Sequence, residues 1–185
     1  MLMPNPAAAT GTTRPKKSRS TVGRVAAVVM IVGTVVFWLW IFSGAPKRAN
    51  PDRLDDRAFV TRTHERCRDL LSELDRLPDA RATSTPTARA EVLDRANGLV
   101  STMVDELEAD APTTGEDGQR LRGWFSDWRT YVGDREDYAE ALREDPGARM
   151  TVSENVALSD GVDKTIEVFA DVNDMPDCAT PGDVG

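Results

Sequence analysis

Two cysteines, Cys67 and Cys178, and a single histidine, His64, are all this 185-residue chain has of those side chains. That scarcity removes most catalytic designs. A Ser-His or Cys-His nucleophile pair has one possible base. A di-metal helical bundle needs Glu-x-x-His on two helices, and none is present. The tetrapeptide HERC at 64–67 does not have zinc-ligand spacing, and no Cys-x-x-Cys redox pair occurs. Glycine-rich phosphate loops and dinucleotide fingerprints are missing as well. Carboxylates are so plentiful that no pair stands out for glycoside hydrolysis. No catalytic residue, metal site or cofactor is therefore expected, and His64, next to Thr63, reads as a boundary residue of a helix.

Acid is missing from residues 1–45, which carry only Arg14, Lys16, Lys17, Arg19 and Arg24 as charged side chains. All 31 acids lie beyond, with the other 18 basic residues, leaving that part at −13. Such an acidic surface argues against nucleic acid, whose phosphates demand a basic footprint. Between the two zones runs VAAVVMIVGTVVFWLWIFSG, Val25 to Gly44, with no charge at all. As a helix it spans about 30 Å, the hydrocarbon thickness of a bilayer, and Trp38 and Trp40 suit its headgroup boundary. A cleaved signal peptide is the rival reading. Its apolar region is normally shorter, and the best cleavage candidate, Ser43–Ala45, is followed by Pro46. No cysteine follows directly to carry a lipoprotein anchor. An uncleaved signal anchor is expected, with the basic tail cytoplasmic and the rest extracytoplasmic.

Outside a membrane, disulfides persist. Two cysteines allow one intramolecular pairing, Cys67 with Cys178, fastening a terminus that would otherwise fray. The alternatives are free buried thiols or an intermolecular bond. Residues 1–24 are expected to be a disordered tail, 45–56 a juxtamembrane linker, 57–178 the folded domain and 179–185 a short C-terminal tail. Within that domain, Val60, Thr63, Cys67, Leu70, Leu74 and Leu77 form a helical stripe. A second helix opens at Thr85 with Pro86 in its first turn, and its buried face is marked by Leu93, Ala96, Leu99 or Val100, Met103 and Leu107. DAPTTGEDG ends it. A third carries Leu121 through Leu142 and stops before Pro146, and a fourth begins near Asp160. The stretch 146–159 has no clear period, and no convincing strand is present. The expected fold is all-α: one transmembrane helix, then an extracytoplasmic antiparallel four-helix bundle closed by a disulfide.

The most distinctive stretch is GWFSDWRTYVGDREDYAEALRED. Trp124, Asp127, Trp128, Arg129, Tyr131, Arg135 and Tyr138 combine aromatic and Arg side chains of the kind that dominate interaction hot spots. The competing reading is a core face of rings, which the spacing of Leu121, Trp124, Trp128 and Tyr131 also explains. DWRTYVGDREDYAEALR together with FADVNDMPDCATPGDV resembles uncharacterised membrane-anchored or secreted proteins of actinobacteria, over roughly Ala58 to Val184. The predominance of Arg over Lys points the same way, to a GC-rich genome. That resemblance implies a compartment and an organism type but no activity. The expected function is a membrane-anchored domain that binds a protein or cell-envelope component, with the lipid bilayer as its other partner. A ligand-sensing domain acting through a partner membrane protein is the alternative, since a tail of about 24 residues holds no signalling domain of ordinary size. An envelope-modifying enzyme ranks third.

Overall fold

A computed structural model describes residues 19–79 and 82–181. The tail expected over 1–24 lies outside the described residues as far as 18, and 182–185 lie outside them too. The chain divides into two compact units, one ending at Pro46 and the other beginning at Lys47. The first holds helix α1, Arg19–Phe42, so residues 19–24, expected as tail, are its opening turns. Within it, Val22–Phe42 is long and apolar enough to cross a membrane, a test a signal sequence would also pass, and none of its most apolar stretch is buried in the protein. A uniformly exposed apolar helix is stable in lipid, where every backbone polar group is satisfied within the helix.

A four-residue helix, α2 (Ala45–Arg48), follows at the junction. The second unit is mostly helical: α3 (Arg57–Leu74), α4 (Pro86–Asp110), α5 (Gly115–Glu144) and α6 (Val162–Val172). Each starts where local chemistry allows. Asp56 accepts from the Phe59 N–H at 2.9 Å to cap α3, and Thr85 caps α4 with Pro86 in its first turn. Helix α5 opens with Glu116 and Asp117, acids that complement its N-terminal dipole. Gly118 is obligatory there, because a Cβ would sit 2.7 Å from the Thr113 backbone carbon.

Neighbouring helices meet in a reversed ladder. Arg62 bonds Asp110 and Arg66 bonds Glu106 between α3 and α4. Arg129 reaches Glu108, Arg135 reaches Asn97 and Arg143 reaches Asp94 between α5 and α4. Trp124 stacks on Phe169, and Asp127 accepts from Thr165, between α5 and α6. The core beneath these contacts includes Phe59, Leu70, Met103, Trp128 and Ile166, and the stripe of α3 is buried from Phe59 to Leu74. The stripe's last expected member, Leu77, lies past the helix end and is only partly buried.

Two features depart from expectation. The stretch 146–159 together with the first residues expected in the last helix forms a two-residue antiparallel ladder. Here β1 (Glu154–Asn155) pairs with β2 (Asp160–Gly161), so α6 starts at Val162 rather than Asp160. The linker expected over 45–56 is also not wholly outside the fold, since Leu54 is buried and Lys47 and Arg53 both pair with Asp174.

The disulfide joins Cys67 to Cys178 with the Cα atoms 5.1 Å apart, and both half-cystines are buried. Its route is less direct than a last helix simply running back beside α3. Helix α6 ends in a Schellman motif: Met175 N–H bonds Ala170 O at 2.9 Å and Asp174 N–H bonds Asp171 O at 3.0 Å. Asp174 takes the left-handed conformation usually filled by glycine, at φ 64°. Past this reversal the chain forms a strap along α3. Asn173 contacts the entry to α3, Asp177 Oδ2 lies 2.8 Å from His64 Nε2, and Cys178 meets Cys67. The strap therefore runs in the same sense as α3.

Candidate functional site

The aromatic residues of α5 follow a 3–4 residue spacing, and the structure turns most of them inward. Trp124, Trp128, Tyr131 and Tyr138 are all buried. Trp128 packs edge-on against Trp124 and Tyr131, with centroids 6.2 and 6.0 Å away. These rings form a core face, which corrects the reading of them as a partner surface. Periodicity had already supplied the reason: one face of a long helix must cover its neighbours.

Arg135 is the least expected of the seven. It is 0% exposed. Its Nε donates to Asn97 Oδ1 at 2.7 Å, and its guanidinium carbon lies 5.6 Å from the Tyr131 ring centroid. A cation over an aromatic face offsets part of its desolvation. Arg135 thus joins α4 to α5 rather than offering a charge to solvent. Arg129 is exposed, but it is held by Asp105 and Glu108 of α4.

Trp124 and Asp127 are different, because both line a cleft of about 750 Å³. Its walls are α5, α6 and the β1–β2 hairpin. The floor is the Trp124–Phe169 stack, with centroids 5.3 Å apart and planes 26° apart. Trp124 is almost fully buried, and its indole N–H has no hydrogen-bond partner among the described residues. Asp127 fixes the walls. It accepts two hydrogen bonds from Asn155 Nδ2, at 2.8 and 3.0 Å, and one from Thr165 Oγ1 at 2.6 Å. Asp134, two helical turns on, takes the Ser153 N–H and hydroxyl, both at 2.7 Å. The two acids lie seven residues apart, on one face of α5, and hold the hairpin against it.

The turn between the strands is shaped by Asn155, whose Oδ1 accepts from the Ala157 and Leu158 N–H groups, an Asx turn. That turn leaves Val156 87% and Leu158 66% exposed. Val168, on the cleft side of α6, is 59% exposed. Outside α1 these three are the exposed large hydrophobic side chains among the described residues, and two of them line the cleft. Sequence reasoning had no hold on this wall, since it depends on a turn in a stretch without period. The available signal was Asn155 before an apolar residue and Ser159-Asp160-Gly161 after it.

Basic side chains in the cleft wall are already engaged. Arg120 pairs with Glu116 and Asp117, and Lys164 pairs with Glu167. Asp127 receives only neutral donors, and the Asp52 carboxylate has no hydrogen-bond partner among the described residues. Asp117 also anchors the entry to α3 by accepting from the Asp55 and Asp56 N–H groups. Burial pushes its carboxyl up, but these backbone donors and Arg120 outweigh that and hold it below the ordinary value. Among the described residues no cluster of three His, Cys, Asp or Glu is arranged to hold a metal ion. Comparison with protein-family models, curated proteins and solved structures finds no match to the chain.

Proposed function

We propose that this chain is a single-pass membrane protein whose disulfide-closed domain lies outside the membrane and binds a protein or cell-envelope component through the α5–α6–hairpin cleft. In this reading α1 is an uncleaved signal anchor with its basic end cytoplasmic, as the charge asymmetry favours. The four longer helices of the outer unit form an antiparallel bundle, supported by the reversed order of their contacts. The disulfide supports an oxidising compartment.

The observation that carries the binding reading is the cleft wall. A domain whose other described large apolar side chains, Val156 apart, are buried or partly buried leaves Leu158 and Val168 in solvent over an aromatic floor. Concave apolar surfaces with a few fixed polar groups are where ligands and partners bind. Chemical cross-linking in native membranes tests it. Wild-type protein is expected to give a discrete adduct that a Leu158→Ser, Val168→Glu double variant loses while remaining folded. An adduct retained by the double variant would place binding elsewhere. Protease added to intact protoplasts is expected to digest the outer unit, and protection of that unit would reverse the topology.

A further inference from the structure

The cleft has a charge signature that narrows its occupant. We infer that it takes a basic side chain, Lys or Arg, presented by a partner polypeptide with apolar residues beside it. This inference rests on the cleft being the binding site. Four acids (Asp52, Glu116, Asp127 and Asp160) face two bases in the lining. Both bases are neutralised by carboxylates at their own sites: Arg120 by Glu116 and Asp117, and Lys164 by Glu167. The negative charge of Asp52 and Asp127 therefore stands without a cationic partner among the described residues.

The apolar part of the cleft selects the kind of cation. A small inorganic cation would leave the Trp124–Phe169 floor, Leu158 and Val168 unused, and the acids do not converge on a metal-binding cluster. A Lys or Arg side chain matches both halves, since its methylene stem lies along apolar surface while its head stays with the acids. Flanking apolar residues of a polypeptide would cover Leu158 and Val168, which a bare amine cannot do. The cleft volume of about 750 Å³ accommodates several side chains.

The test is calorimetric titration of the full-length protein in zwitterionic lipid nanodiscs. Three probes are used: an alternating leucine–lysine pentapeptide, its leucine–glutamate counterpart, and spermidine. The lysine peptide is expected to bind, with affinity falling as salt is raised; the glutamate peptide should not bind, and spermidine should bind at least tenfold more weakly. Asp52→Asn removes a charge without removing a hydrogen bond and is expected to weaken the lysine peptide by roughly tenfold. Asp127→Asn should do the same, but it also touches the hairpin, so Asp52→Asn is the decisive variant. Equal binding of both peptides, or no effect of Asp52→Asn, would overturn the inference. Spermidine binding as tightly as the peptide would overturn the polypeptide assignment. Binding of the glutamate peptide alone, lost in Leu158→Ser, would overturn the charge preference and leave the cleft as the binding site.

Discussion

The C-terminal strap, which includes a single 3-10 turn at Pro176–Cys178, and the β1–β2 hairpin are both short segments laid on the α-helices, and they are held in opposite ways. Along the strap, side chains are consumed by the fold. Asn173 is fully buried and its side chain makes three hydrogen bonds, accepting from Leu54 N–H and donating to the Asp52 and Phe169 carbonyls. Asp174 takes Lys47, Arg53 and Arg57, and Cys178 is covalently fixed. The hairpin is pinned only at its base, through Asp127 and Asp134, while its tip presents Val156 and Leu158 to solvent. Saturated polar groups and buried apolar ones mark closure. Exposed apolar groups on a pinned base mark a surface available to something else.

Breaking the strap should therefore cost stability, and altering the hairpin tip should not. The largest effect is expected from replacing Cys67 and Cys178 together by Ala, because the bond closes a loop of 111 residues' separation. The chain-entropy model gives about 4–5 kcal/mol for such a loop, a large share of what a domain of this size has in reserve. Denaturant unfolding of the oxidised wild type and the double variant measures it.

Asn173→Ala comes next. It strands the buried Leu54 N–H and removes the Asp52 carbonyl's donor, while the Phe169 carbonyl keeps the backbone N–H of residue 173. A destabilisation of about 1–3 kcal/mol is expected. A loss no larger than that of an exposed substitution would mean the strap is held by the disulfide alone.

Asp117 gives a pH-dependent test of the same held region. Its folded-state pKa is depressed below the ordinary 3.8. Its stabilisation is therefore fully present well above that value and is lost as pH falls through the lower folded-state value. Asp117→Asn should lower stability at neutral pH and flatten the acid limb of the stability curve, read by thermal unfolding as pH is lowered. An unchanged acid limb would show that other carboxylates dominate acid unfolding. The smallest effect belongs to the hairpin tip: Leu158→Ser should change stability by no more than about 0.5 kcal/mol.

What the sequence made legible was whatever repeats or stands alone. The charge-free run gave α1 because an uninterrupted apolar stretch of that length, without a proline, satisfies its backbone as a helix. The Cys67 stripe and the lone Cys178 gave the bond. Thr85-Pro86 gave the start of α4 within a residue, since cap and proline act locally. The strap's route was hidden because its reversal uses Asp174, where glycine would have announced a left-handed turn. The cleft was hidden because its parts lie at Asp52, Trp124, Leu158 and Val168 and no periodicity connects them. Asp127 was singled out for its aromatic neighbours, yet its work is to hold Asn155 and Thr165. Arg135 looked like an interaction residue and is a buried tie between helices.

The proposed contrast between closure and working surface comes down to where a partner would touch the second unit. A photo-crosslinking amino acid placed at Leu158 in the hairpin, and separately at Arg68 on the exposed side of α3, reads this directly in native membranes. Irradiation should yield one discrete adduct from position 158 and none from position 68, with the Cys67–Cys178 peptide pair intact in both. Adducts from position 68 alone, or the same adducts from both positions, would contradict the assignment of the cleft as the binding surface.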